Sequence, residues 1–372
     1  MKQLRCDFTR ERIFPGFDKK TCKVDPKIIT DGKDRAVLFY GMLLLSGSDV
    51  GTGSYAAKST DGGRTFETPV KLEGLTRYEG DIRVQTGPCV SGIYDEKSRK
   101  ALLFGLESRF ADDKNPVMIN GIATCKAVYA TFDMDELKVD SPFRPMPLPF
   151  PVVSAVPHGQ PMRLSNGHIL ASFYFTTEEI TRASVLTAEY AFEEGELTLI
   201  RAGKPLISGD DHLRGYCEPS VAKCGGKYYM TIRTDEVGLY AVSGDGFTFG
   251  KPQEWRWDDG TVLENYNTMQ RFLVHPEGLY LAYTRRGAHN DHVFRHRAPM
   301  FFARFDEERQ VLLRETEEIL VPEMGARLGN FSVTPVSERE NWLVTAEWMQ
   351  PLGCERYGSD NSIWIARVKW EE

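Results

Sequence analysis

Six short runs of β-branched and aromatic residues recur along the chain at nearly even spacing, and this regularity constrains the fold most strongly. The runs begin near residues 36, 101, 168, 227, 279 and 342, so successive starts lie 52 to 67 residues apart. Most of them follow a turn such as Ser165-Asn166-Gly167, which supplies a residue able to adopt positive φ. Repeats of this size indicate radial repetition of one small sheet. The sequence therefore predicts an all-β protein, a six-bladed β-propeller of four-stranded antiparallel blades.

The chain has 372 residues, enough for either two domains or one closed ring of blades. Two β-sandwiches would require a linker near the middle, and the proline-rich stretch at residues 142–151 is too short to be one. We therefore expect a single propeller domain over residues 1–372, in which the N-terminal segment completes the last blade.

Composition argues against several classes of partner. Lys and Arg number 46 against 53 Asp and Glu, and a net charge of −7 does not suit a protein whose main task is binding nucleic acid. No apolar run is long enough to cross a bilayer or to act as a secretory signal, so we expect no membrane partner. Seven cysteines without a CxxC pair favour reduced thiols in the cytoplasm over disulfides or structural zinc. We expect no cofactor.

Two turns share a motif that resembles one in a known family. Residues 59–66 read Ser-Thr-Asp-Gly-Gly-Arg-Thr-Phe, and residues 243–249 read Ser-Gly-Asp-Gly-Phe-Thr-Phe, the same pattern one residue shorter. In such a turn the Asp caps a tight hairpin, a Gly takes the left-handed conformation, and the aromatic ring packs between blades. The motif resembles the Asp box, the bacterial neuraminidase repeat of the sialidase superfamily. The resemblance implies a propeller glycosidase in which the Asp boxes themselves are structural.

The resemblance also implies three catalytic residues. Asp49, in the loop before the first of these turns, occupies the place of the family's acid/base aspartate. Glu218 and Tyr357 resemble the family's glutamate and the nucleophilic tyrosine that it polarises. A phenol assisted by a carboxylate suits an acidic sugar, because the sugar's own carboxylate would repel a carboxylate nucleophile.

Three basic positions resemble the family's substrate-binding arginines. Arg233 follows Glu218 by 15 residues, about the separation that the family shows, and Arg327 resembles the last arginine. In the first blade the matching segment begins at Lys23, so a lysine would stand where the family has an arginine. Lysine cannot form the bidentate fork that arginine makes with a carboxylate, and this is the largest departure from the pattern.

A basic stretch at residues 285–297 lies outside the family pattern. It contains four arginines, among them Arg285, and three of the seven histidines, among them His289 and His292. Three interpretations remain open: a metal site that includes Asp291, a basic loop with Arg–Asp pairing, and an anion-binding wall with histidines for proton transfer, which we favour. Polar residues at other blade entrances would line the same rim: His158, Asp211, His212, Tyr216, Tyr266, Asn267 and Arg271.

These residues predict an enzyme that cleaves a glycosidic bond to an acidic sugar, a sialidase-like exo-glycosidase whose partner is an acidic oligosaccharide. Two alternatives remain open. A uronate-specific lyase on the same propeller would perform β-elimination with His289, His292, Tyr216 and Arg271, a His or Tyr acting as base. A non-catalytic glycan-binding propeller would need an aromatic and neutral polar rim rather than clustered titratable groups.

Overall fold

The computed structural model describes residues 5–47, 49–112, 115–119, 122–209 and 212–371. These residues form six antiparallel sheets of four main strands each. The first strand of each sheet contacts the first strands of its two neighbours, which closes the sheets into a ring. The predicted six-bladed propeller is therefore confirmed.

The blades are numbered along the chain, and the strands of each are given from the innermost outward. Blade 1 comprises Thr21–Thr30, Ala36–Leu44, Gly51–Ser59 and Val70–Lys71. Blade 2 comprises Ile82–Asp95, Lys100–Phe110, Cys125–Asp133 and Lys138–Val139, with Thr76–Glu79 and Arg144–Pro145 paired to it. Blade 3 comprises Ser154–Arg163, Ile169–Thr176, Ser184–Glu193 and Glu196–Ala202.

The second half of the chain repeats this arrangement. Blade 4 comprises Cys217–Cys224, Lys227–Arg233, Gly238–Ser243 and Gln253–Glu254. Blade 5 comprises Arg271–His275, Gly278–Tyr283, Met300–Asp306 and Val311–Leu312, with Glu318–Val321 paired to its third strand. Blade 6 comprises Phe331–Ser337, Glu340–Ala346, Ile363–Trp370 and Cys6–Ile13.

The remaining elements are short. Met118–Ile119 and Ile122–Ala123 form a small hairpin, and three 3-10 turns lie at Phe294–His296, Arg314–Thr316 and Cys354–Tyr357. Within the described ranges, no helix has the length and apolar character needed to span a membrane.

Each of the six β-runs predicted from the sequence forms the second strand of one blade. These strands are packed on both sides, since each blade lies between two others, and Phe104, Phe173 and Leu343 are fully buried. This burial explains why the runs are nearly continuous stretches of β-branched and aromatic residues.

Blade 6 takes its outermost strand from the other end of the chain. Cys6–Ile13 pairs antiparallel with Ile363–Trp370 along its whole length, from Cys6 opposite Trp370 to Ile13 opposite Ile363. The first and last strands of the described chain thus belong to one sheet.

The ring has two faces that carry different connections. At the turn face, short turns such as residues 225–226 join the first strand of a blade to its second. At the loop face, second strands lead to third strands, in blades 5 and 6 through the long connections at residues 284–299 and 347–362. Long connections on a rigid scaffold are where binding side chains are usually found.

The two Ser-x-Asp turns lie on the turn face and adopt the predicted geometry. Asp61 accepts hydrogen bonds from the backbone N–H groups of Arg64 and Thr65, each at 3.0 Å, and Ser59 Oγ donates to it at 2.8 Å. Gly63 holds a φ of 77°, and a Cβ at this position would lie 2.1 Å from the Trp342 ring of blade 6. The turn therefore fixes the contact between the first and last blades.

Candidate functional site

The first strands of blades 1 and 4 are interrupted at the loop face, each at a carboxylate followed by proline. The register of the ladder shifts around Asp25-Pro26 in blade 1 and around Glu218-Pro219 in blade 4. A proline cannot donate to the ladder, so a bulge forms there. Asp25 and Glu218 hold φ angles of 51° and 50°, a strained left-handed conformation of the kind that concentrates at functional sites.

A row of hydrogen bonds begins at Glu218 and crosses to blade 5. Arg233 Nη1 donates to Glu218 Oε1 at 2.5 Å, and Arg233 Nη2 donates to Asn267 Oδ1 at 2.7 Å. The second carboxylate oxygen of Glu218 is buried without a hydrogen-bond partner among the described residues. An unpartnered buried oxygen is costly, and it marks a position that a ligand can satisfy.

The row continues through Arg297 to blades 6 and 1. Arg297 donates to the backbone carbonyl of Asn267 and, at 3.3 Å, to Asn330 Oδ1. Asn330 Nδ2 then donates to Asp25 Oδ1 at 2.8 Å. Polar side chains from blades 4, 5, 6 and 1 are thus linked around one mouth of the central channel.

Four guanidinium groups gather at this mouth, and we refer to Arg233, Arg295, Arg297 and Arg327 as the arginine cluster. Arg233 pairs with Glu218, whereas the other three form no ion pair with any described carboxylate. Arg295 donates to Asn267 at 3.3 Å, and Arg327 donates to Gln350 at 2.8 Å.

Three members of the cluster carry poorly compensated positive charge. Burial and the neighbouring arginines lower the pKa of Arg297 to about 9 and that of Arg327 to about 10, and they also lower the pKa of Arg295. Arg297 and Arg327 are only 2% and 4% exposed. A recessed group of cations with few counter-charges favours binding of an anion.

The channel below the cluster holds further charged groups. Lys27 Nζ lies 3.4 Å from the Asp25 carbonyl oxygen, and burial lowers the pKa of this lysine to about 8. Burial also raises the pKa of Asp25, an effect that Lys27 opposes and that Glu218 and Asp49 reinforce. The fully buried Arg271 donates to the Phe331 carbonyl at 2.9 Å, and burial lowers its pKa to about 10.

His158 lies beside Arg271 in this channel. Its Nδ1 is 3.4 Å from Arg271 Nη2, and burial together with Arg271 and Lys27 lowers its pKa. His158 and Arg271, both predicted from the sequence to bind substrate, are therefore brought together below the arginine cluster.

Aromatic rings border the mouth. Trp348 lies under the Arg327 guanidinium at 4.0 Å, and Phe294 lies 5.0 Å from the same group while being 45% exposed. Exposed aromatic faces beside recessed polar groups form the usual platform for a sugar ring, which presents apolar C–H groups.

The predicted pair of Glu218 and Tyr357 is not formed, and this part of the sequence interpretation is corrected. Tyr357 is 41% exposed on the 3-10 turn Cys354–Tyr357, where its hydroxyl accepts a hydrogen bond from Arg356 at 2.9 Å. Its ring lies 4.4 Å from the His292 ring, and Glu218 pairs with Arg233 instead. The turn holds the phenol in the 347–362 loop, away from the bulge that positions Glu218.

Lys23 is also placed elsewhere. Its ammonium donates to the backbone carbonyl of Asn361 at 2.9 Å, between blades 1 and 6, and burial lowers its pKa. Lys23 therefore does not replace an arginine at the mouth, and the lysine that faces the channel is Lys27.

The basic stretch at residues 285–297 divides into two parts. Arg285 forms a bidentate ion pair with Glu317 at 2.7 and 2.6 Å, so it supports the loop rather than a ligand. Arg295 and Arg297 belong to the arginine cluster, as the anion-binding interpretation requires.

The predicted histidines of the rim lie in different surroundings. His292 Nε2 is 3.0 Å from Glu323 Oε1, and His212 Nδ1 is 3.3 Å from Glu236 Oε2. His289 is exposed, without a side-chain contact to a described residue, and Tyr216 packs 5.6 Å from the His212 ring. Asp211 lies outside the described residues.

Asp49 lies at the rim of the mouth and interacts electrostatically with Asp25, Arg295 and Arg327. It is exposed and holds a φ of 57°. Across the described part of the chain, no group of three or more His, Cys, Asp or Glu residues has the spacing of a metal site.

Three residues of the site were not predicted from the sequence: Asp25, Lys27 and Asn330. A signal for the first was present, since Asp25-Pro26 repeats the acid-proline pattern of Glu218-Pro219 at the start of a first strand. Asn330 carries no such local signal, because its hydrogen-bond partners Arg297 and Asp25 come from other blades.

The opposite mouth, on the turn face, opens into a cavity of about 930 Å³. Its lining includes Arg163 with Asp95, which pair at 2.7 Å, and His168. His168 lies 2.7 Å from Glu189 Oε1. Arg163 thus has a carboxylate partner at this mouth, whereas the buried Arg271, which also lines the cavity, forms no ion pair with a described carboxylate.

No protein-family model and no curated protein matches the sequence. Solved structures do share its fold. A protein of unknown function from Dyadobacter fermentans superposes with a TM-score of 0.67 at 15% identity, covering 98% of this chain and 99% of that one. A sialidase of Trypanosoma rangeli superposes with a TM-score of 0.61 at 13% identity, covering 97% of this chain and 59% of that one.

An α-L-arabinofuranosidase of Fusarium graminearum is also similar, with a TM-score of 0.53 at 11% identity over 95% of this chain and 94% of that chain. The chain therefore spans somewhat over half the length of the trypanosomal sialidase and nearly the whole of the other two proteins. At these identities the similarity shows the fold, a sialidase-like propeller shared with glycoside hydrolases, and function has to be argued from the site.

Proposed function

We propose that this protein is a glycoside hydrolase that releases a terminal acidic sugar at the loop-face mouth. The observation that carries the proposal is the arginine cluster, in which Arg295, Arg297 and Arg327 lack a described carboxylate partner. A sugar carboxylate would supply the missing negative charge and bind in a fork to guanidinium groups. Because these groups are recessed, a terminal sugar reaches them more easily than the middle of a chain.

The carboxylates around the cluster suit glycosidic cleavage. Asp49, exposed at the rim, can deliver a proton to the oxygen of the leaving group. Glu218, held by Arg233, can stabilise positive charge that develops on the sugar ring. The exposed Phe294 ring would support the sugar from the side.

The test is a panel of 4-methylumbelliferyl glycosides of N-acetylneuraminic acid, glucuronic acid, galactose and L-arabinofuranose. All share one leaving group, so the sugar alone varies. We expect kcat/KM for an acidic member to exceed that for each neutral member by about 100-fold, the discrimination expected of a site with buried charges to satisfy. Preferred turnover of a neutral member would contradict the proposal.

A second candidate is β-elimination on a uronate, and a hydrogen-bonded Tyr266–His296 pair beside the arginine cluster favours it. Elimination requires a base near the α-carbon while cations neutralise the carboxylate. Oligouronates incubated with the protein would then gain the ultraviolet absorbance of an unsaturated uronate. Binding of an acidic sugar without turnover would instead indicate a non-catalytic glycan-binding propeller.

A further inference from the structure

Three side chains form a hydrogen-bonded row next to the arginine cluster. Tyr266 Oη lies 2.7 Å from His296 Nδ1, and His296 Nε2 lies 3.2 Å from Asp291 Oδ1. Tyr266 is half-buried, His296 is mostly covered, and Asp291 is 96% exposed. The row therefore leads from a half-buried phenol to a solvent-exposed carboxylate.

The hydrogen-bond partners of His296 define which of its two ring nitrogens carries the proton. An ionised carboxylate only accepts hydrogen bonds, so His296 Nε2 carries the proton that Asp291 binds. In the neutral imidazole, Nδ1 then has a lone pair and accepts the proton of the Tyr266 hydroxyl. The imidazole is thus oriented as a base toward the phenol, and the carboxylate stabilises the imidazolium formed when a proton arrives.

Two members of this row are chain neighbours of residues that belong to the arginine cluster or are bonded to it. Tyr266 precedes Asn267, which accepts hydrogen bonds from Arg233 and Arg297, and His296 lies between Arg295 and Arg297 in the chain. Asn267 and His296 hold φ angles of 50° and 51°. Left-handed conformations at non-glycine residues are retained where the surrounding structure requires a particular side-chain direction.

Arg286 adds a charge at the phenol. Its guanidinium lies 3.9 Å above the centre of the Tyr266 ring. A cation at the face of an aromatic ring stabilises electron density that builds on the ring and its oxygen. Arg286 therefore places a positive charge against the ring of the phenol that is hydrogen-bonded to His296.

Tyr357, on the 347–362 loop, has a different arrangement. Its hydroxyl accepts a hydrogen bond from Arg356, and its contact with His292 is between ring faces rather than between oxygen and nitrogen. No described base is in position to take its proton.

We propose that Tyr266 is the catalytic base of the reaction at the arginine cluster, with His296 and Asp291 as positioning residues of a proton relay. The inference rests on the proposed hydrolysis. The attacking water forms a bond to the anomeric carbon and gives a proton to Tyr266 Oη, while the hydroxyl proton of Tyr266 passes to His296 Nδ1. The glycosidic C–O bond breaks with its electron pair on the leaving oxygen, which takes a proton from Asp49. Imidazolium and carboxylate then return to their starting states by exchange with solvent.

The kinetic test uses the 4-methylumbelliferyl glycoside with the highest turnover. Tyr266→Phe should lower kcat by about 100-fold while changing KM by less than about threefold, as removal of a general base does. His296→Gln should lower kcat by a similar factor. Asp291→Asn should lower kcat by less than about tenfold, because the Asp291 carboxylate is exposed to solvent.

Tyr228→Phe is the matched control, since Tyr228 lies on the turn face and its hydroxyl forms no hydrogen bond with a described residue. It should keep kcat within about twofold of the parent. Added imidazole should raise the kcat of His296→Ala by about tenfold or more. A variant that had failed to fold would not respond in this way. A smaller loss of kcat in Tyr266→Phe than in Tyr357→Phe would overturn the proposed proton relay.

A measurement independent of turnover separates this inference from the proposed function. In ¹⁵N-histidine spectra, His296 should show a protonated Nε2 and an acceptor Nδ1, and Tyr266→Phe should shift the Nδ1 signal alone. Hydrolysis of an acidic sugar that survives Tyr266→Phe would refute the relay and keep the function. Preference for a neutral sugar, with kcat lost in Tyr266→Phe, would refute the function and keep the relay.

Discussion

The two mouths of the central channel differ in how their charges are balanced. On the turn face, Arg163 pairs with Asp95 at 2.7 Å in the lining of the cavity of about 930 Å³. On the loop face, Arg297 and Arg327 are almost fully buried without a described carboxylate partner. The two loop-face arginines thus lack the carboxylate partner that Arg163 has on the turn face.

Under the proposed function the uncompensated charge marks the site, whereas the cavity of about 930 Å³ lies at the opposite mouth. An open cavity between the ends of blades follows from ring geometry, because first strands diverge as they leave the core. A buried cation without a counter-charge lowers the stability of the ligand-free protein, and such a cation is retained where a bound anion compensates for that loss.

The largest expected effect comes from removing one charge of the arginine cluster. Arg327→Met should lower kcat/KM for the acidic glycoside by about 10³-fold, equivalent to about 4 kcal/mol, because the sugar carboxylate loses a recessed partner. The free energy of unfolding should rise by about 1 kcal/mol, since repulsion with Arg295 and the desolvation of Arg327 are both relieved. Steady-state kinetics and urea unfolding measure the two changes.

Arg163→Met is the corresponding change on the turn face. It removes an arginine whose charge is already matched by Asp95, so stability should fall by about 1 kcal/mol and kcat/KM should stay within about twofold. Equal losses of activity in both variants would break the distinction between the two mouths.

A glycine of the turn face should affect stability alone. Gly63→Ala would place a methyl group 2.1 Å from the Trp342 ring at a φ of 77°, so unfolding should become easier by about 3 kcal/mol. The folded fraction should keep its kcat and KM, because the Trp342 contact lies at the end of the blades away from the arginine cluster. Thermal unfolding followed by kinetics on the soluble protein would show both.

Gly195→Ala controls for backbone strain. Gly195 has a φ of 84°, but nothing lies within 4 Å of the position that the added methyl group would take. The free energy of unfolding should therefore fall by only about 1 kcal/mol. A similar loss in the two variants would mean that the inter-blade contact at Trp342 contributes little.

The fold could be predicted from the sequence because its signals are local. A second strand such as Ile169–Thr176 is packed on both sides, and burial alone selects its β-branched and aromatic residues. The turns also carry local signals, because the Asp61 side chain bonds to the backbone N–H of Arg64 and Gly63 takes the positive φ within the same turn.

The site could be predicted only in part, because its contacts join distant segments. Glu218, Arg233 and Arg327 were found through the family resemblance, and the first two pair at 2.5 Å. The link from Arg297 to Asn330 spans 33 residues and two blades, which no spacing rule captures. Tyr357 was assigned from its neighbours in sequence, yet its ring contacts are set by His292, on another loop.

The pH dependence of stability tests the charge below the arginine cluster. Burial lowers the pKa of Lys27 from its ordinary value of 10.5 to about 8, so between these pH values the unfolded chain holds a proton that the folded protein has released. Stability should therefore rise with pH in this window, by about 1 kcal/mol per pH unit, and the cost of burying the ammonium is fully present below pH 8. Urea unfolding of the parent and of Lys27→Met at pH 7.5, 8.5 and 9.5 gives two free energies of unfolding at each pH, and their difference is the contribution of Lys27.

Lys97→Met is the control, since it removes an exposed ammonium from the turn face. Its free energy of unfolding should change with pH as steeply as that of the parent. A difference between parent and Lys27→Met that stays constant over these pH values would show that the loop-face channel holds no such strained charge.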